Sequence, residues 1–495
     1  MPLIPLQIPP GVYRVGTDFE GSNRWRDANL VRWHQGSMRP IGGWRTKSDI
    51  SSVITAAPRA MHCWVDNTQG ANTAVATANE LVYVNASGSP TDITPVGFVQ
   101  GDEDAAINYS FGGGFYGTSN YGLRRPGSSQ FQEADTWSLD NWGEYLVGCA
   151  TQDGKLYEWQ LNTSNPAAQI ANSPTGCKGM IVTEERFIFA LQADGNPRKI
   201  AWCDREDNTT WTPSATNEAG DIELQTSGEI MCAARMRGRT MIVTNLDAHV
   251  ATYQGPPYVY GFERVGTACG AISRKALVAI DQGAFWMGRE SFYMFDGSTA
   301  TQMPCDVQDY VFENMNANQA SKTYAVHNSE YGEIWWFYPS QGGTECDSYV
   351  SYDYLENHWE IGTINRTAGA DQGVFAEPQW IDASGVLYEH ELHGFSHGGM
   401  TPYAETGPIS LGNGDNIMKV NNLIPDEETQ GSVTATFKTR MHPNDTERSY
   451  GPYTMSNPTS VRFSGRQVRM RVEATGNEDW RVGIMRINAE PGGRR

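Results

Sequence analysis

Short apolar and aromatic segments, each followed by a Gly, Asn or Asp turn, recur along this chain at nearly even spacing. The clearest are Met61–Val65, Leu81–Val84, Tyr145–Cys149 with Leu156–Trp159, Phe187–Leu191 with Ile200–Cys203, and Met241–Thr244 with Val250–Tyr253. The series continues with Ala284–Met287 and Phe292–Phe295, Ile334–Tyr338 and Tyr349–Tyr352, then Val374–Ala376 and Val386–Glu389. β-Branched and aromatic residues occupy the strand positions, and Asp153-Gly154, Asp194-Gly195, Asp296-Gly297 and Ser384-Gly385 supply turns that accept a positive φ. Hairpins starting at 144, 186, 239, 284, 333 and 374 are 42, 53, 45, 49 and 41 residues apart. One four-stranded sheet of that length cannot bury both faces, whereas a ring of twisted sheets buries each against its neighbours. The spacing therefore predicts an all-β chain built around a β-propeller of about seven to eight blades. Trp159, Tyr253, Phe295 and Trp359 are expected to fill the wedges between blades.

Composition agrees. The 52 Gly and 25 Pro are more than long helices tolerate, while 39% hydrophobic and 11% aromatic residues suffice for a large core. Eight cysteines, with no C-x-x-C pair, support neither a zinc ribbon nor a redox dithiol and read as buried free thiols of a reducing compartment. The opening MPLIPLQIPP lacks the basic start of a secretory signal, and no run approaches the ~18 apolar residues of a membrane helix. No membrane insertion is expected.

Along the chain, residues 1–60 read as an N-terminal arm and hairpin. Residues 61–430 form the propeller body, with a Gly- and Ser-rich loop insertion at 101–140. Residues 431–495 read as C-terminal β-strands that close the propeller or form a platform; Val468-Arg469-Met470-Arg471-Val472 alternates apolar and basic residues as a half-buried strand does. Val307, Tyr310, Val311 and Met315 stand at helical spacing after Asp306, which is expected to cap a short helix.

Charge is unevenly spread. The net −20 divides into +4 over residues 1–60, +5 over 431–495 and −29 between them. An acidic body argues against gripping DNA through its phosphates, and basic ends suit contacts with acidic faces of other subunits.

The search for chemistry is largely negative. His390, His393 and His397 lie close in sequence, but His390-Glu391-Leu392-His393 is one residue short of the H-E-x-x-H zinc pattern, and Gly398-Gly399 with Pro402 forbid a helix. Gly394–Gly398 spells G-x-S-x-G around Ser396, again without the helix that a nucleophile elbow requires. Asp204–Trp211 is a weak variant of the Asp-box turn, and Arg235, Arg237 and Arg239 alternate as on one strand, with no carboxylate or Tyr assigned to them. No catalytic, metal or cofactor residue follows, and the chain reads as a non-enzyme.

Asn29-Leu30-Val31-Arg32-Trp33 and Arg39-Pro40-Ile41-Gly42-Gly43-Trp44, within Gly21–Trp44, resemble the opening segment of the tail nozzle proteins of short-tailed bacteriophages, also called packaged-DNA stabilisation proteins. Thr136-Trp137-Ser138-Leu139-Asp140-Asn141-Trp142-Gly143-Glu144 and Leu387-Tyr388-Glu389-His390-Glu391 are similar to recurrent stretches of that family. So is the order of elements: strands near Met241–Tyr253, then Phe285–Asp296, a helix, a Tyr/Trp-rich hairpin and an Arg-rich strand at Arg466–Arg471. The resemblance implies a virion tail protein made in the host cytoplasm, a homo-oligomer of six copies. These form a tube beneath the portal and the head–tail adaptor ring, beside other tail proteins. Packaged double-stranded DNA is retained above the tube and passes down it on ejection. An acidic tube wall would keep the duplex from sticking, with Asp102-Glu103-Asp104 and Asp426-Glu427-Glu428 as candidates. The competing expectation is a glycan-binding or glycan-cleaving propeller of a phage tail, which needs exposed Trp or Tyr beside paired carboxylates. A propeller scaffold for intracellular partners leaves the basic ends and the opening segment unexplained.

Overall fold

Alternating apolar residues on short strands, broken by tight turns, give seven four-stranded antiparallel sheets among residues 43–392 of the computed structural model. The structure describes residues 3–107, 131–281, 283–410, 416–429 and 431–493. In chain order the first strands of the blades are Pro58–Val65, Trp137–Trp142, Gly179–Val182, Ile230–Met236, Leu277–Ile280, Tyr324–Asn328 and Ala368–Ala370. Each lies beside the next, and the seventh lies beside the first, so they form a closed ring around a central channel. The fold is a seven-bladed β-propeller. Gly154, Gly195, Gly297 and Gly385 all take positive φ in the turns expected of them.

Separate apolar clusters fill the wedges. Trp64, Trp137 and Trp159 pack between blades 1 and 2, Phe189, Trp202 and Tyr260 between blades 3 and 4, and Trp286 and Phe295 between blades 4 and 5. Trp159 and Phe295 are thus wedge residues; Tyr253 packs from the margin of its cluster, and Trp359 joins a different core, described below.

Domain boundaries differ from those expected. Blade 7 takes its fourth strand, Gly43–Asp49, from the N-terminal arm, in register with Val386–Leu392 (Val386 opposite Asp49, Leu387 opposite Ser48). The ring is therefore closed by the end of the N-terminal arm and not by residues 431–495. Those residues join Leu3–Leu6, Trp25–Asn29, Tyr403–Thr406 and Met418–Ile424 in two further sheets. Val420, Leu423, Val461, Phe463 and Ile487 of one sheet and Ala404, Ala435, Phe437, Val468, Met470 and Val472 of the other share one core. This is a β-sandwich. Its core continues into Phe292 of blade 5 and Trp336 and Trp359 of blade 6, so sandwich and propeller are packed together.

Four smaller expectations are also corrected. Val374–Ala376 is a bend, and the strand lies at Gln379–Ile381, where Trp380 is wholly buried. The insertion is shorter than 101–140, because Trp137–Trp142 is a blade strand; most of it, 108–130, lies outside the described residues. The helix spans Gln308–Asn314 behind Val307, and Asp306 makes no cap but pairs with Arg24 at 3.2 Å. Arg235 lies one residue before the end of one strand, Arg237 sits in the turn and Arg239 opens the next strand, so the three arginines do not share a strand. All eight cysteines are free, six of them buried. No helix among the described residues is long and apolar enough to cross a membrane.

Candidate functional site

Inner strands of a propeller turn alternate side chains toward the axis, so the channel wall is where residues from all blades can meet. Here the deep channel encloses about 340 Å³ and opens into a wider mouth of about 1260 Å³, the two sharing Arg235 and Ala279. Arg59 and His62 of blade 1, Asp140 of blade 2, Cys232 and Arg235 of blade 4, and Arg274 and Lys275 at the start of blade 5 line the deep part.

Asp140 is the hub. Arg235 Nη2 donates to its Oδ1 at 2.9 Å, the Asn141 N–H donates to the same oxygen at 2.9 Å, and the Val182 N–H donates to Oδ2 at 3.0 Å. One carboxylate thereby ties blades 2, 3 and 4 together, and both of its oxygens are engaged. Arg59 is closed off on another side, donating to Glu345 at 2.5 and 2.8 Å and to the Glu103 carbonyl at 3.0 Å. Lys322 meets the same Glu345 at 2.8 Å and Asp104 at 2.5 Å. Burial pushes the Cys232 thiol up to about 12, against the pull of Arg274 and Lys275, so it stays protonated at neutral pH. Burial brings the Lys275 amine down to about 8, with Asp140 and Cys232 opposing.

The mouth adds Glu184, Arg186, Arg237, Asp281, His327 and Tyr354. Glu184 accepts the Gly238 N–H at 2.7 Å, and His327 lies between Asp371 (3.1 Å) and the Tyr354 hydroxyl (3.1 Å). No tryptophan lines either cavity, but Tyr354 lines the mouth together with Glu184 and Asp281. Of the arginine triplet noted in the sequence, Arg235 and Arg237 reach the mouth, while Arg239 turns away to donate to the Gly297 carbonyl at 3.1 Å.

The histidine segment is dispersed. His390 is buried and accepts from Arg366 Nε at 2.9 Å, with Trp44 stacked 5.1 Å away. His397 lies 2.8 Å from the Ile41 carbonyl, and His393 stands exposed 3.7 Å from Asp479. Ser396 is exposed in the turn after the strand. No group of three or more His, Cys, Asp or Glu among the described residues is arranged to hold a metal. Asp204–Trp211 is an ordinary hairpin turn, in which Asp207 accepts from Thr209 and Thr210 and Trp211 donates to the Asn208 carbonyl.

Both acidic clusters are partly spent inside the chain. Glu103 accepts the Ala57 N–H, Asp104 holds Lys322, and Glu427 accepts from Thr429 and Gly431, which leaves Asp102, Asp426 and Glu428 at the surface, Glu428 beside Arg481 at 3.4 Å. The basic ends are likewise engaged at home. Arg14, Arg24, Arg26, Arg32, Arg45 and Arg59 all have carboxylate partners within the chain, and Lys438, Arg469 and Arg471 surround Glu405.

Burial lowers the pKa of His34, His62, His249, His390 and His397, while His358 alone is raised, because Glu360 outweighs its burial. A histidine depressed in the fold contributes stability above its unfolded pKa of about 6.5 and loses it as the pH falls further, since only the unfolded chain takes the proton. Unfolding midpoints in urea should therefore drop between pH 7 and 5.5, with His390 alone giving a slope that rises toward about 1.4 kcal/mol per pH unit at the acid end. His390→Gln should flatten the profile by that amount; an unchanged slope would show that the fold does not keep His390 neutral.

Comparison with known proteins finds no matching family model and no matching curated protein. Among solved structures the chain is similar to virginiamycin B lyase from Staphylococcus aureus (TM-score 0.42, 9% identity, covering 70% of this chain and 98% of that one). It is also similar to PorZ, a surface component of the type IX secretion system of Porphyromonas gingivalis (TM-score 0.38, 8% identity, covering 77% and 44%). No activity is transferred on likeness of this degree.

Proposed function

We propose that the chain is a structural tail protein of a short-tailed bacteriophage, a nozzle subunit. Six copies form a tube below the portal and adaptor, retaining packaged DNA and conducting it during ejection, without catalysis or cofactor. The observation that carries this reading is a single buried joint. Arg32 and Gly42, from the opening segment that resembles the nozzle family, meet Glu391, from the separate stretch Leu387–Glu391 that resembles it too. Arg32 donates to Glu391 at 2.6 and 2.7 Å, and the Gly42 N–H donates to it at 2.9 Å. A Cβ on Gly42 would stand 2.2 Å from the Glu391 Cα, so the glycine is required there. The third stretch supplies the inner strand of blade 2 and the hub Asp140. Resemblance thus falls on residues that hold the fold together.

A deep channel of about 340 Å³ has no room for a duplex, so in this reading DNA runs between subunits and not through a propeller. Exposed Arg448, Arg462 and Arg486 on the sandwich remain for contact with acidic faces of neighbours. Purified with its tail partners, the chain should appear in averaged electron micrographs as a ring with six-fold symmetry. Three or twelve copies, or a lone monomer in the assembled particle, would overturn the reading.

A further inference from the structure

We propose that the propeller channel binds a small molecule carrying a phosphate dianion, held between Lys275 and Arg274. This goes beyond the assembly proposed above and does not depend on it. Within a chain of net charge −20, the deep channel is lined by four strong cations (Arg59, Arg235, Arg274 and Lys275) and one carboxylate, Asp140.

Two of the cations are already neutralised, Arg59 by Glu345 and Arg235 by Asp140. The other two are not. Arg274 donates from Nη1 to the Ile230 carbonyl at 3.1 Å and meets no carboxylate, and the Lys275 ammonium has no hydrogen bond or ion pair among the described residues. The backbone of Lys275 is held at the seam of blades 5 and 6, where its carbonyl accepts the Ala325 N–H at 2.8 Å and its own N–H reaches Ser273 Oγ at 3.3 Å.

Charge sets the ligand class. Two uncompensated positive groups in a confined, partly desolvated space are matched by two negative charges on one compact group, as in phosphate, through charge-assisted hydrogen bonds. Asp140 cannot fill that role, because its oxygens are taken by Arg235, Asn141 and Val182. His62, held neutral by burial, and the protonated Cys232 thiol complete the wall without adding negative charge. The volume of about 340 Å³ lies at the small end of ligand pockets, and the wider mouth gives access. Burial brings the Lys275 amine down to about 8, and the pull of Asp140 and Cys232 does not offset it.

Isothermal titration of the full chain with inorganic phosphate, glucose 6-phosphate and acetate tests this. Phosphate and glucose 6-phosphate should bind saturably at one site, with acetate weaker by about tenfold or more. Tighter binding of glucose 6-phosphate than of phosphate would assign the site to a phosphorylated small molecule; equal binding would assign it to free phosphate. Lys275→Met should weaken phosphate binding by about tenfold or more, while Lys199→Met on blade 3 leaves it unchanged. Should Lys275→Met not fold, the unmodified chain supplies the second measurement: at pH 8.5, binding should take up a proton, read from the dependence of the heat on buffer. No saturable phosphate binding, binding that Lys275→Met leaves intact, acetate equal to phosphate, or binding without proton uptake at pH 8.5 would overturn the proposal.

Discussion

Replacing Arg32 by methionine is expected to cost about 3–5 kcal/mol of stability at pH 8, because it strands two buried carboxylates. Arg32 is 1% exposed, and its guanidinium lies 3.7 Å above the Tyr331 ring. It donates to Glu333 at 2.8 and 2.9 Å as well as to Glu391. Asn328 donates to both carboxylates, at 3.1 and 3.2 Å, and Trp335 Nε1 donates to Glu333 at 2.8 Å. Burial already raises Glu333 to about 7, against the pull of Arg32. Glu391 remains low because Arg32 and the Gly42 N–H overcome its burial. Without the cation, both carboxyls should titrate above their unfolded values. A carboxyl raised in the fold favours folding below its unfolded pKa and loses that advantage as the pH rises through the folded value. The deficit of Arg32→Met should therefore shrink between pH 8 and pH 5. Adding Glu333→Gln and Glu391→Gln should recover part of it at pH 8. A loss under about 1 kcal/mol, or one independent of pH, would mean that the joint does not depend on this ion cluster.

The sequence reveals those strands whose two faces are both buried. In blades 2 to 6 the hairpins recognised from periodicity are the second and third strands, such as Tyr145–Ala150 with Leu156–Trp159 and Glu333–Pro339 with Cys346–Asp353. These carry continuous apolar runs because sheets pack on either side. First strands are read less well: Gly179–Val182 has only four residues, and Ala368–Ala370 has three, all of them small. The same limit explains Val374–Ala376, an apolar triplet that lies in a bend while Gln379–Ile381 makes the strand. Closure was hidden for a different reason. Gly43–Asp49 pairs with a strand more than three hundred residues away, and nothing local in Trp44-Arg45-Thr46-Lys47 names that partner.

The channel residues escaped notice because their meaning depends on the ring. Asp140 and Arg235 are 95 positions apart and touch only because blades 2 and 4 both face the axis. Arg274-Lys275 looks like any basic pair before a strand. The histidines drew attention through proximity in sequence, yet one strand and its turn send His390 into the core beside Trp44 and leave His393 in solvent. Charge sums by segment also misled in part, since many bases of the two ends pair with acids of the body within the same chain, as Arg24 does with Asp306, Arg45 with Glu389 and Arg59 with Glu345. Glu405, from the edge of the propeller body as the sequence divides it, takes three cations of the C-terminal strands.

A chain beginning at Pro58 is expected to lose the native propeller and sandwich together. The missing arm contributes the closing strand Gly43–Asp49 of blade 7, one strand to each sandwich sheet (Leu3–Leu6 and Trp25–Asn29), and the Val31–Pro40 hairpin. It also removes Trp25, Leu30, Val31, Trp33, Met38 and Ile41, each no more than 4% exposed. Large side chains of this kind contribute about 1.5–3 kcal/mol apiece on burial, so their joint loss is comparable to or larger than the net stability of about 5–15 kcal/mol usual for a folded protein. Val386–Leu392 would become an open edge, prone to pairing between molecules. Size-exclusion chromatography should show residues 58–495 as aggregate, and near-ultraviolet circular dichroism should show no fixed aromatic environment. Closure here is by hydrogen bonds and packing, with no covalent link, so co-expressing residues 1–57 as a separate polypeptide should restore a soluble, stoichiometric complex. If residues 58–495 alone are monomeric with the urea midpoint of the whole chain, the ring does not need the arm for closure. If 1–57 does not associate, the arm's packing cannot be what holds the ring shut.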